Sequence, residues 1–118
     1  MSKHRWTTIA GTGLIVAILI LFFATRLKGG DSDPKVVTIE IRNFSFDPAT
    51  VMVHSGDTVV WKNDDNAPHT ATTTSSKPGF DSGTIQPGAS WRHQAPDKGT
   101  YNYICTIHPY MKGTLIVQ

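Results

Sequence analysis

The chain has 118 residues, 17% of them charged, and a formal net charge of +2, enough for one domain with a short appendage. Its single cysteine excludes an internal disulfide and a one-chain zinc site built from three or four cysteines. From Lys35 onward seven lysines and arginines meet seven acidic residues, so the surplus lies N-terminal and nothing indicates the clustered basic face that nucleic acid requires.

In chain order, the first predicted element is Thr7 to Thr25, which carries no charge. As a helix these 19 residues would reach about 28 Å, close to the roughly 30 Å hydrocarbon core of a bilayer, and a helix satisfies its backbone groups internally. Residues 1–28 are therefore expected to form a membrane anchor. The competing reading is a cleaved signal peptide, which fits less well because Phe22, Phe23, Arg26 and Leu27 are poor flanks for a cleavage site. No cysteine follows to take a lipid. Lys3 and Arg5 balance Arg26 and Lys28, so the charges do not set the orientation. Residues 29–34, rich in Gly, Asp, Ser and Pro, read as a flexible linker.

Residues 35–118 read as β throughout. Val37, Ile39 and Ile41 alternate with Thr38, Glu40 and Arg42, one face for a core and one for water. Val51 with Val53 and Val59 with Trp61 repeat the pattern; Ser90 to Gln94 is weaker. Tyr101, Tyr103 and Cys105 share one face of a run from Thr100, and Leu115 and Val117 close the chain. Turn signals at Ser55-Gly56, Pro78-Gly79, Pro87-Gly88 and Lys98-Gly99 separate these runs. Short strands at this spacing predict an all-β antiparallel sandwich or barrel.

The chemistry concentrates after Cys105. "CTIHPYMKG" places His108 three residues beyond the cysteine and Met111 three further on, in a loop where Pro109 stops strand pairing. Thiolate, imidazole and thioether form a soft-to-borderline donor set that suits copper in both oxidation states, provided a second imidazole joins. Of the five histidines, His4 lies ahead of the apolar segment. His54 adjoins a turn and should be exposed, and His93 could lie on an outer strand face. His69 ranks first, since Pro68-His69 ends the polar loop "NDDNAPH" where a strand-like run begins. The adjacent carboxylates Asp64 and Asp65 read as a solvated turn. Pro68, Pro109 and Tyr110 could form an apolar ring around His108.

"WKNDDNAPH" (residues 61–69), "FDSG" (80–83), "PG" (87–88) and "GTYNYICTIHPYMKG" (99–113) occur in the order found in the cupredoxins, the small blue copper proteins. The resemblance covers nearly all of residues 35–118, and the short Cys-x-x-His-x-x-Met loop is most similar to amicyanin. It implies a Greek-key β-sandwich, export from the cytoplasm, and one copper ion held by His69, Cys105, His108 and Met111. Thr70 stands where many members have asparagine, and Ile104 where plastocyanins carry a surface tyrosine, which puts the second electron route of plastocyanins in doubt here.

The expected function is single-electron transfer by Cu(II)/Cu(I) cycling, without enzymatic activity, since four protein donors leave no position for substrate. Redox proteins should dock near His108, Pro109 and Tyr110. The domain should be monomeric, anchored in the cytoplasmic membrane through residues 7–25, and placed on the extracytoplasmic side. The alternative is a copper carrier or store, with the same ligands but with release to an acceptor.

Overall fold

The computed structural model describes residues 33–75 and 78–118. The apolar segment Thr7 to Thr25 lies outside the described residues, as does most of the linker. Among the described residues, no helix is long and apolar enough to cross a membrane.

Among the described residues eight strands follow one another: β1 (Val36–Arg42), β2 (Ser45–Asp47), β3 (Thr50–Val53), β4 (Thr58–Asn63), β5 (Thr72–Thr73), β6 (Ser90–Gln94), β7 (Gly99–Ile104) and β8 (Lys112–Val117). They form two four-stranded sheets, ordered β2-β1-β4-β6 and β3-β8-β7-β5. The all-β sandwich expected from the alternation is present, but it is not wholly antiparallel. β1 pairs in parallel with β4, and β3 with β8. Parallel neighbours need long connections, so strands far apart in sequence become adjacent, and alternation within one strand carries no information about its partner's direction.

Register follows burial. Val37, Ile39 and Ile41 of β1 lie beside Val59, Trp61 and Asn63 of β4, so the inward sets coincide. Slipping either strand by one residue would turn its apolar set to water. Ile39, Ile41, Val59 and Trp61 are fully buried, and Tyr103 and Leu115 of the other sheet meet them in one core. Trp61 packs edge-on against Tyr103 at 5.6 Å and tilted against Trp91 at 5.2 Å. The Tyr101 hydroxyl donates to the Asp97 carbonyl at 2.6 Å, pinning the turn that enters β7.

At the same end of the domain, Asp57 is buried and its carbonyl accepts the Ala95 N–H at 2.7 Å. Its carboxylate accepts the Lys35 and His54 backbone N–H groups, both at 2.9 Å. It thereby fastens the start of β1 to the start of β4. β2 is a strand that the sequence pattern did not mark. Its three residues are too few to display a period, and only Phe46 is buried.

Candidate metal centre

The antiparallel β7–β8 pair runs to Ile104 opposite Lys112, so residues 105–111 are the loop at its end. Alternation sends Tyr101, Tyr103 and Cys105 inward on one side and Met111, Gly113 and Leu115 inward on the other. Two backbone bonds tighten the loop: Cys105 N–H donates to the Met111 carbonyl at 3.1 Å, and Met111 N–H donates to that of His108 at 2.9 Å. Cys105 and Met111 are both buried, and His108 is half-buried.

His69 comes from the other sheet's connection. Asn63, the last residue of β4, is fully buried. Its amide donates to the carbonyls of Ala67 at 2.8 Å and Ile85 at 2.9 Å, and its oxygen accepts the Asp65 N–H at 2.9 Å. One side chain thus folds the 64–68 loop. His69 and Ile85 then exchange two backbone bonds, at 3.1 and 2.7 Å, which lock the histidine in place beneath the surface.

The result is a triangle. His69 Nδ1 and His108 Nδ1 lie 3.1 Å apart, and Cys105 Sγ lies 3.6 and 3.7 Å from them. A point equidistant from the three atoms is about 2.0 Å from each, the length of a metal–nitrogen bond. Among the described residues, these three side chains converge as a group able to hold a metal ion. Two imidazole nitrogens this close can share a proton or a cation. His69 Nε2 donates to Asp65 Oδ2 at 2.8 Å, which fixes the tautomer and leaves Nδ1 with a free lone pair for either.

Asp65 is therefore part of the site, and its reading as a solvated turn is corrected. Besides His69 it accepts the N–H groups of Asn43 at 2.6 Å and Phe44 at 2.9 Å. Burial raises the pKa of its carboxyl, but the Phe44 N–H, the His69 ring and the Asn43 N–H outweigh that and hold it below the ordinary value. Asp64 fits the solvated reading better, with Lys62 3.6 Å away on the surface.

Asn43 and Phe44 both have positive φ, 50° and 55°, a conformation that costs non-glycine residues energy. The Asp65 carboxylate offsets that cost. The turn sets the Phe44 ring edge-on to both imidazoles, 5.4 Å from His69 and 5.1 Å from His108. Sequence reasoning missed Phe44, because its strained turn depends on a carboxylate about twenty residues away.

Two further histidines stand apart from the triangle. His54 is exposed, as expected. His93 is not on an outer face: it stacks on Trp91 with centroids 5.0 Å apart and planes 13° apart. It lies beside inward-facing Val59 in the β4–β6 register, and burial lowers its pKa.

The sulfur has one further neighbour. Thr70 N–H donates to Cys105 Sγ at 3.3 Å, and Thr106 N–H donates to Thr70 Oγ1 at 2.8 Å. Thr70 thereby ties the His69 segment to the Cys105 loop.

The family model described as the Cupredoxin-like domain matches residues 13–117, beginning within the apolar segment. Amicyanin-alpha of Methylorubrum extorquens is 34% identical over 86 residues, covering 68% of this chain and 70% of that protein. Plastocyanin of Scenedesmus fuscus is 31% identical over 91 residues, covering 62% and 86%. A solved structure of a Cu(I) amicyanin variant superposes with a TM-score of 0.65 at 23% identity, over 70% of this chain and 82% of that one; at that identity the likeness speaks for the fold alone.

Proposed function

The chain belongs to the cupredoxin-like family, and from that premise we propose that it is a blue copper protein carrying single electrons, whose copper would be held by His69, Cys105, His108 and Met111. The cofactor is one copper ion, which supplies one-electron chemistry by alternating between Cu(II) and Cu(I). The observation that carries this reading is the convergence of two imidazole nitrogens and a buried sulfur around a single point.

Each residue has a distinct task. Cys105 offers a thiolate at a strand end, where β pairing on both sides resists movement. The Asp65 bond keeps the His69 ring in one orientation. Met111 is held by the backbone bonds that close the loop and would supply a thioether that tunes the potential. A donor set that does not rearrange between redox states favours fast transfer. The same full complement of protein donors argues for a carrier of electrons rather than an enzyme.

His108 is the electron port, since His69 is fully buried while His108 keeps an edge at the surface. Around it Phe44, Ile107 and Tyr110 are 41%, 44% and 68% exposed. This apolar rim would meet a redox partner over a small area and release it readily. Residues 7–25 would anchor the chain in the cytoplasmic membrane, with residues 29–34 as linker and residues 35–118 on the extracytoplasmic side. The absence of charge over a bilayer-spanning length supports the anchor.

Adding Cu(II) to the full chain should produce an intense thiolate-to-copper absorption that a reductant bleaches and an oxidant restores. Cys105→Ser should be colourless, while Met111→Leu should keep the colour at a shifted potential. Colour that survived the cysteine change would refute the ligand assignment, and rapid loss of copper to an apo acceptor would favour the carrier alternative. Deleting residues 1–28 should release the protein from the membrane fraction; a full chain that never sediments with membranes would refute the anchor.

A further inference from the structure

The hydroxyl of Thr70 is one member of a longer chain. Thr70 Oγ1 lies 3.1 Å from Thr72 Oγ1 and 3.0 Å from Thr106 Oγ1, and Thr72 Oγ1 donates to Asp81 Oδ1 at 3.0 Å. Asp81 also accepts the Gly83 N–H at 2.9 Å, and its backbone bridges to that of Thr72.

The directions of these bonds follow from the inventory of protons. A hydroxyl has one hydrogen to give and two lone pairs to receive with. Thr72 gives its hydrogen to a carboxylate, so towards Thr70 it is an acceptor. Thr70 therefore gives its hydrogen to Thr72 and receives twice from Thr106, through the N–H at 2.8 Å and the hydroxyl at 3.0 Å. Every hydrogen points the same way, from the residue after Cys105 outward to Asp81. Bonds aligned in this manner polarise and strengthen one another.

Thr70 is buried, and its own N–H is the one that reaches the sulfur. We propose that Thr72 and Asp81 are positioning residues for the copper site: through this aligned hydroxyl chain they hold Thr70 so that its N–H stays on the Cys105 sulfur. The proposal rests on the blue copper reading and adds to it a surface carboxylate that touches no ligand. An N–H directed at a thiolate withdraws electron density, and hydrogen bonding around that sulfur tunes the potential. Losing the chain should loosen the N–H···S contact and lower the potential.

The test compares Thr72→Val, Thr72→Ser, Asp81→Ala and wild type, each as the full chain. With copper bound, Thr72→Val and Asp81→Ala should shift the equilibrium with a fixed one-electron couple at least about threefold towards Cu(II), where tenfold corresponds to 59 mV. Thr72→Ser keeps the hydroxyl and should match wild type. In the metal-free proteins the Thr70 and Thr106 amides should exchange hydrogen faster in the two disrupting variants only. Unchanged potential and unchanged exchange in Thr72→Val and Asp81→Ala would overturn the proposal while leaving the copper reading intact. If no protein, wild type included, develops the blue absorption, the copper reading fails, and amide exchange still decides whether the chain orders Thr70.

Discussion

Asp65 does two jobs with one carboxylate. It orients the His69 imidazole, and it stabilises two consecutive positive-φ residues whose turn lays Phe44 against both imidazoles. Removing such a partner of a ligating histidine costs roughly 10–100-fold in metal affinity. Asp65→Ala should weaken copper binding by that order in a competition titration, and the loss should exceed that of Asp64→Ala, whose carboxylate lies near Lys62 on the surface. Equal affinities for the two variants would remove Asp65 from the site. The role of Asp65 was hidden in the sequence because a pair of aspartates in a polar loop looks the same whether it faces water or a histidine four residues on.

At the scale of strands, the β7–β8 pair decides how close the loop ends come. Tyr103 is opposite Gly113, two residues from Cys105 and from Met111. A Cβ at Gly113 would fall 2.1 Å from the Tyr103 ring, so the ring occupies the space that a side chain would need. Gly113→Ala must push Tyr103 out of the core or splay the strands, at a cost of about 1–3 kcal/mol. Denaturant unfolding of the metal-free protein measures the loss directly. The same change should alter the copper spectrum, because both loop ends hang from these strands. Asn102→Ser, which loses only the exposed bond from the Thr114 hydroxyl, should leave the copper spectrum unchanged.

For the whole molecule, acid is the informative variable. The Lys35 and His54 N–H groups lower the Asp57 pKa below its ordinary value of 3.8. Unfolding releases those bonds and restores the ordinary value, so the stability contributed by this group is complete above that value and disappears as pH falls through the lower folded one. Asp57→Asn should therefore be less stable than wild type at neutral pH and lose less further stability between pH 5 and pH 2, as thermal melts across that range would show. The exposed rim is the other whole-molecule property. Tyr110→Lys should slow electron self-exchange between Cu(I) and Cu(II) copies, followed by line broadening, through charge repulsion at the apposed rims. A rate unchanged by this substitution would move the port away from His108.

The sequence by itself determined the β class, the inward faces of most strands and the candidate donors, because alternation and short spacing are local properties. Cys105, His108 and Met111 lie within seven residues, and Pro68-His69 carries its own turn signal. The tertiary structure alone decided which strands run parallel, how Asn63 folds the loop before His69, and where Asp65, Phe44, Thr72 and Asp81 stand around the site. Those relations arise from side chains brought together by burial and register across tens of residues, and no periodicity along the chain records them.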